Sequence, residues 1–107
     1  MFRIAFTETF SQWRAQLKTV AAAAVSRRLT RAAAGHFGDC KAVGGGVREM
    51  RIHTGPGYRL YFVQRGDVLI VFLAGGDKGS QQKDIARALK LARELDHDPD
   101  LCHPGRP

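Results

Sequence analysis

Apolar and polar residues alternate along three stretches of the chain and recur at helical spacing along three others. Phe2, Ile4 and Phe6 fall on one side of residues 2–6, which predicts a half-buried strand. Phe10, Trp13, Leu17 and Val20 then recur at helical spacing, with Thr7 or Thr9 available to cap the helix that they predict. A second helical stretch follows the alanine run Ala21–Ala24. It places Val25, Leu29 and Ala32 on one side and Arg27, Arg28 and Arg31 mostly on the other, and Gly35 suits its end. The two form a helical hairpin, with its break near Thr19–Ala22. Residues 36–46 read as a loop with a short extended piece around Cys40–Val43.

The strongest strand signal lies further on. Val47–His53 alternates, TGPG (54–57) supplies a turn, and Tyr58–Gln64 alternates back. RGD (65–67) makes a second tight turn, and Val68–Ala74 is apolar on both faces, as a central strand is. After GGDKGS (75–80), Ser80 can cap a last helix whose stripe is Ile85, Leu89, Ala92 and Leu95. The expected fold class is α+β: an N-terminal strand, a helical hairpin, a three-strand antiparallel meander and a C-terminal helix. Helices are expected to cover one sheet face and leave the other partly open. Residues 1–95 make a single domain, and 96–107, polar and proline-rich, read as a flexible C-terminal tail.

Composition narrows the function. At 107 residues with 44% hydrophobic positions the chain supports one core without staples. No apolar run approaches a membrane span, so no membrane partner is expected, and the N-terminus lacks the pattern of a signal peptide. Cys40 and Cys102 read as free thiols of a cytoplasmic protein. Net charge is +7, and it is uneven. Residues 1–53 hold nine Lys/Arg against three Asp/Glu, whereas five of the remaining seven acids (Asp84, Glu94, Asp96, Asp98 and Asp100) fall in the last helix and tail. A positive field over the first half favours nucleic acid or an acidic protein as partner.

Parity then selects candidate chemistry. Met50, Ile52, Leu60 and Phe62 point to the core, and Arg51, His53, Arg59 and Tyr61 share the opposite face. Lys78 and Lys41 can reach its rim, and Arg48 lies at its edge. Such a set suits a phosphodiester. Arginines bind nonbridging oxygens in a fork, a histidine titrates near neutrality, and a tyrosine can stack on a base or supply a hydroxyl. No carboxylate cluster suggests a metal, so cleavage would use the 2′-hydroxyl of RNA itself, with no cofactor. The plainer alternative is a solvated sheet face in which Glu49 pairs with Arg51 or Arg59.

The runs GDCKAVGGGVREMRIHTGPGYRLYF (38–62) and LAGGDKGSQQKDIARALKLAREL (73–95), preceded by the hairpin of residues 10–39, resemble the addiction-module killer proteins. These are HigB-like members of the RelE/ParE toxin superfamily. The resemblance covers about residues 2–95 and implies the same α+β fold. It implies a cytoplasmic toxin held by a cognate helix-turn-helix antitoxin, in a complex that is often a heterotetramer. It also implies cleavage of mRNA on the ribosome. Arg51, His53, Arg59, Tyr61 and Lys78 fall where catalytic residues are expected, and Lys41 and Arg48 where RNA is held. ParE-like members share the fold but inhibit DNA gyrase, and a degenerate toxin would act only through its antitoxin. One departure stands out: where many nuclease members carry a tyrosine or histidine after the last strand, this chain offers Asp77 and Lys78.

Overall fold

The computed structural model describes residues 1–98 and 101–105. A six-stranded sheet runs through the molecule in the order β2-β3-β4-β5-β1-β6. In chain order, β1 is Arg3–Thr7, α1 Glu8–Ala15, α2 Thr19–Ala33, β2 Cys40–Gly44, β3 Val47–Ile52, β4 Tyr58–Arg65, β5 Leu69–Asp77, α3 Gln81–His97 and β6 Cys102–Gly105. The β1–β5 pair is parallel and the other pairs are antiparallel. Among the described residues no helix is long and apolar enough to cross a membrane.

Thr7 closes β1 and opens α1. Its hydroxyl accepts a hydrogen bond from the Phe10 amide at 3.1 Å and donates one to the Leu73 carbonyl at 2.5 Å, which satisfies one of the otherwise unpaired amides of the first turn. The break in the hairpin falls at residues 16–18, earlier than the sequence places it. Val20 consequently falls in the first turn of α2 and is 71% exposed, while Leu17 stays packed on the core.

The hairpin covers one sheet face over Ile4, Phe6, Met50, Ile52, Leu60, Phe62, Ile70 and Phe72. Aromatic rings run through this layer, Phe10 to Phe72 at 5.4 Å, Phe72 to Phe62 at 5.5 Å and Phe62 to Phe37 at 5.5 Å between centroids, spacings typical of favourable ring pairs.

The opposite face is not left open. Helix α3 lies on it and buries Ala88, Ala92 and Leu95 against Tyr61, Val63, Val71 and Leu73. This corrects the one-sided packing expected from sequence. The cause is legible in β4 and β5, whose α3-facing residues are apolar over most of their length and demand a cover.

A β-bulge at Leu73 sets the alignment of these layers. Tyr61 pairs with Ala74 but Phe62 pairs with Phe72, so Leu73 is the extra residue. Beyond it Gly75 faces the hairpin and Gly76 faces α3. A Cβ on Gly75 would run into the Trp13 ring, and one on Gly76 into the Asp84 carboxylate and Ser80. Two adjacent glycines thus admit a helix residue on each side of the sheet.

Two further strands extend the meander. The extended piece at residue 40 becomes edge strand β2, and Cys102–Gly105 pairs antiparallel with β1 as β6. The segment expected to be a flexible tail therefore contributes the end of α3 and the far edge strand. Pro99, Asp100, Arg106 and Pro107 lie outside the described residues.

Candidate functional site

Strands β3 and β4 pair with Arg51 opposite Arg59 and Glu49 opposite Tyr61, and β2 adds Lys41 opposite Glu49. Cross-strand partners share a face, so Lys41, Glu49, Arg51, Arg59 and Tyr61 stand together on the α3 side. Small residues stand beside Arg59 and Tyr61 on β5, where Gly76 pairs with Arg59 and Ala74 with Tyr61. The TGPG turn closes the hairpin with a bond from the Gly57 amide to the Thr54 carbonyl at 3.0 Å. The Gly57 carbonyl accepts from the Lys78 amide at 2.9 Å, which ties the turn to the approach to α3.

Glu49 is the hub. It is 0% exposed. One carboxylate oxygen accepts from Tyr61 Oη at 3.0 Å and Gln81 Nε2 at 2.8 Å, and the other accepts from Arg51 Nε at 3.2 Å. Burial by itself raises the Glu49 pKa, but the hydrogen bonds from Gln81, Arg51 and Tyr61, with the nearby Arg59 charge, outweigh it and hold the group below the ordinary carboxylate value. Tyr61 responds the other way: burial, then the Glu49 charge and hydrogen bond, push its phenol well above the usual value.

The chain of contacts continues outward. Arg51 Nη1 lies 3.6 Å from Asp39 Oδ1, and His53 Nε2 meets Asp39 Oδ2 at 2.8 Å. The His53 hydrogen bond, then the Arg51 charge, depress the Asp39 carboxyl against a smaller opposing effect of burial. Arg28 of α2 braces the same place, donating from Nη1 to the Arg51 carbonyl at 2.7 Å and from Nη2 to the Phe37 carbonyl at 2.9 Å.

Arg59 contrasts with its neighbour. Its Nε is buried and has no hydrogen-bond partner among the described residues. A buried N–H left in this way, on a side chain directly opposite a second arginine, is costly, and the nearby Glu49 charge offsets only part of the like-charge repulsion.

The sequence-predicted residues divide accordingly. Arg51 and Arg59 come together, Lys41 is exposed on their side, and His53 is exposed at the strand end beside Arg51. Lys78 is exposed in the short turn before α3, where the Asp77 side chain accepts from the Gly79 and Ser80 amides at 2.8 and 3.2 Å. That cap belongs to Asp77, while Ser80 Oγ donates to Asp84 Oδ2 at 2.5 Å.

Two expectations need correction. Tyr61 is 0% exposed and engaged with Glu49, so its ring offers no face for a base. Arg48 points to the hairpin side, with its guanidinium 5.4 and 5.6 Å from the Phe37 and Phe62 ring centroids and Nη2 bonded to Cys40 Sγ at 2.8 Å. It caps the aromatic core by cation–π contact rather than joining the basic face.

Gln81, Asp84 and Asp39 were not singled out as part of this site by sequence. Gln81 and Asp84 belong to α3, and nothing in the linear pattern tells which face α3 covers. Asp39 comes from the loop before β2, close to Arg51 because its carbonyl accepts the Arg51 amide at 2.8 Å.

Fold and site together define an α+β protein with a mixed sheet between a helical hairpin and a single helix, carrying two opposed arginines at one end of its sheet. The chain belongs to the same family as a protein of Haemophilus influenzae described as uncharacterized. The two are 45% identical over 94 residues, spanning 87% of this chain and 95% of that protein. No family model matches the chain.

Proposed function

We propose that the protein is the toxin of a toxin–antitoxin module, of the HigB-like branch of the RelE/ParE superfamily, and that it cleaves mRNA on the ribosome without a metal. The observation that carries this reading is the Arg51–Arg59 pair with the unpartnered Arg59 Nε. Two cations held opposite each other present a fork for a phosphodiester and stabilise the extra charge of its pentavalent transition state. His53, exposed and oriented by Asp39, exchanges protons with the 2′-hydroxyl or the leaving oxygen. Lys41 and Lys78 hold the strand on either side. Glu49 and Tyr61 position Arg51 from below and do not touch substrate. The partner is a helix-turn-helix antitoxin, with a heterotetrameric complex as the expected assembly, and the compartment is the cytoplasm.

A second reading is favoured by the engagement of Arg51 with Glu49 and Asp39 and by the burial of Tyr61. These leave a thinner catalytic set and fit a gyrase poison of ParE type, or a degenerate toxin acting only through its antitoxin. Purified protein added to a translation reaction with a defined message separates them. Codon-phased cleavage mapped by primer extension, lost in Arg59→Ala, is the expected result. Intact message together with gyrase-dependent DNA breaks would replace the nuclease reading with the second one.

A further inference from the structure

A second cationic site adjoins the first on the other side of β3. A cleft of about 290 Å³ lies between α2 and the end of that strand, lined by Arg27, Arg28, Arg31, His53 and Thr54 over Ile52. Arg27 and Arg31 are four residues apart on α2, hence on one face of the helix. Both are exposed, and neither has a side-chain partner among the described residues. Their charges are not neutralised locally. Asp39, the carboxylate beside the cleft, is already engaged by His53 and Arg51. Arg28, half-buried at the base, has its pKa lowered chiefly by burial and then by the Arg31 charge, with Asp39 opposing.

The cleft is linked to the sheet-face site around the end of β3. Arg28 donates to the carbonyl of Arg51, and His53 both lines the cleft and shares Asp39 with Arg51. We propose that the cleft takes a second phosphodiester of the same RNA strand, so that one strand bends around the end of β3 between Arg27–Arg31 and Arg51–Arg59, with His53 at the bend. This rests on the RNA-cleaving reading above. Single-stranded RNA is the occupant the lining favours, because α2 sets two guanidiniums one helical turn apart in a cleft of about 290 Å³. Paired guanidinium forks are also the groups that bind phosphate oxygens bidentately.

The test compares wild type, Arg27→Ala/Arg31→Ala and Arg59→Ala by fluorescence anisotropy over a range of salt. The probes are a 2′-O-methylated dinucleotide and a 2′-O-methylated single-stranded RNA of about ten nucleotides. Both replaced α2 side chains are exposed, and circular dichroism checks that the double variant is folded. The double variant is expected to bind the longer RNA more weakly, with a plot of log K against log salt shallower by about 0.7, the loss of one phosphate contact. Its affinity for the dinucleotide should stay at the wild-type level. Equal salt slopes for wild type and double variant would overturn the inference and leave the cleavage assay to judge the sheet-face site. A reduced slope with no cleavage on the ribosome would keep the cleft as an RNA site and remove the nuclease reading. Competition by poly-glutamate as effective as by RNA would overturn the phosphodiester assignment.

Discussion

Arg51 and Arg59 stand directly opposite each other on β3 and β4, and of the two it is Arg51 that forms ion pairs, with Glu49 and Asp39, while Arg59 feels Glu49 only at longer range. Such a pair works against folding. Replacing Arg59 by Met keeps the length of the side chain and removes the charge and the unpartnered Nε. Denaturant unfolding of Arg59→Met should show stability unchanged or raised by up to about 1 kcal/mol. On the proposed nuclease reading, RNA cleavage by the same variant should fall at least a hundredfold, the usual scale for losing a transition-state cation. A large loss of stability would mark Arg59 as structural instead.

Tyr61 separates positioning from chemistry. Tyr61→Phe deletes one of the three donors to Glu49 while keeping the ring, and should cost about 1–3 kcal/mol in urea unfolding. Cleavage should stay within a few-fold of wild type, because the hydroxyl faces the interior. A loss of activity of several orders at unchanged stability would return Tyr61 to the catalytic set. Its raised pKa adds a signature at high pH. The folded state favours the neutral phenol, so this stabilisation is complete below the unfolded tyrosine value of 10.0 and is lost as pH climbs above it towards the folded value. In a Tyr58→Phe background, where Tyr61 is the remaining tyrosine, phenolate absorbance should appear together with alkaline unfolding and not before it.

Acid should loosen the same end of the sheet. Glu49 and Asp39 are both held below their unfolded values of 4.5 and 3.8. Their contribution is therefore present at neutral pH and lost as pH falls through the folded values, lower still. Urea midpoints measured from pH 7 down to pH 2 should drop in that acid range, and Glu49→Gln should flatten part of the drop. A midpoint that is level down to pH 2 in wild type would show that the network carries no such linkage.

Gly76 and Asp84 offer a coupled pair. Gly76→Ala forces a methyl group against the Asp84 carboxylate and Ser80, and should cost about 2 kcal/mol or more. Asp84→Ala makes room, so the double variant should be more stable than the sum of the single changes implies. Additive losses would show that the close approach is relieved elsewhere.

The parts of the molecule fixed by local pattern were readable from the chain. Alternation at 47–53 and 58–64 separates Met50, Ile52, Leu60 and Phe62 from Glu49, Arg51, Arg59 and Tyr61, and the structure keeps that division. Tyr58, inward by parity, packs beside Trp13 on the hairpin side. What periodicity does not carry is which layer lies over which face. Tyr61 read as accessible because the position of α3 is a tertiary fact, decided by the apolar run of β5 and the small residues beside it. Arg48 misled for a related reason. Its parity matches Met50 and Ile52, but its charge suggested solvent, and a long aliphatic stem let it lie over Phe37 and Phe62. The edge strand β6 was hidden by Pro104, which weakens any strand signal and is tolerated at an outer edge.

The extra residue at Leu73 acts as a phase shifter between the two halves of β5. Were β5 regular, with Leu73 itself paired to Tyr61, the inward and outward sets would exchange from Ala74 onward. Gly75 would then turn to the α3 side and Gly76 to the hairpin side, and Leu73 rather than Ala74 would stand opposite Tyr61. The bulge thus places the small Ala74, in place of Leu73, across from Tyr61 on the face that α3 covers.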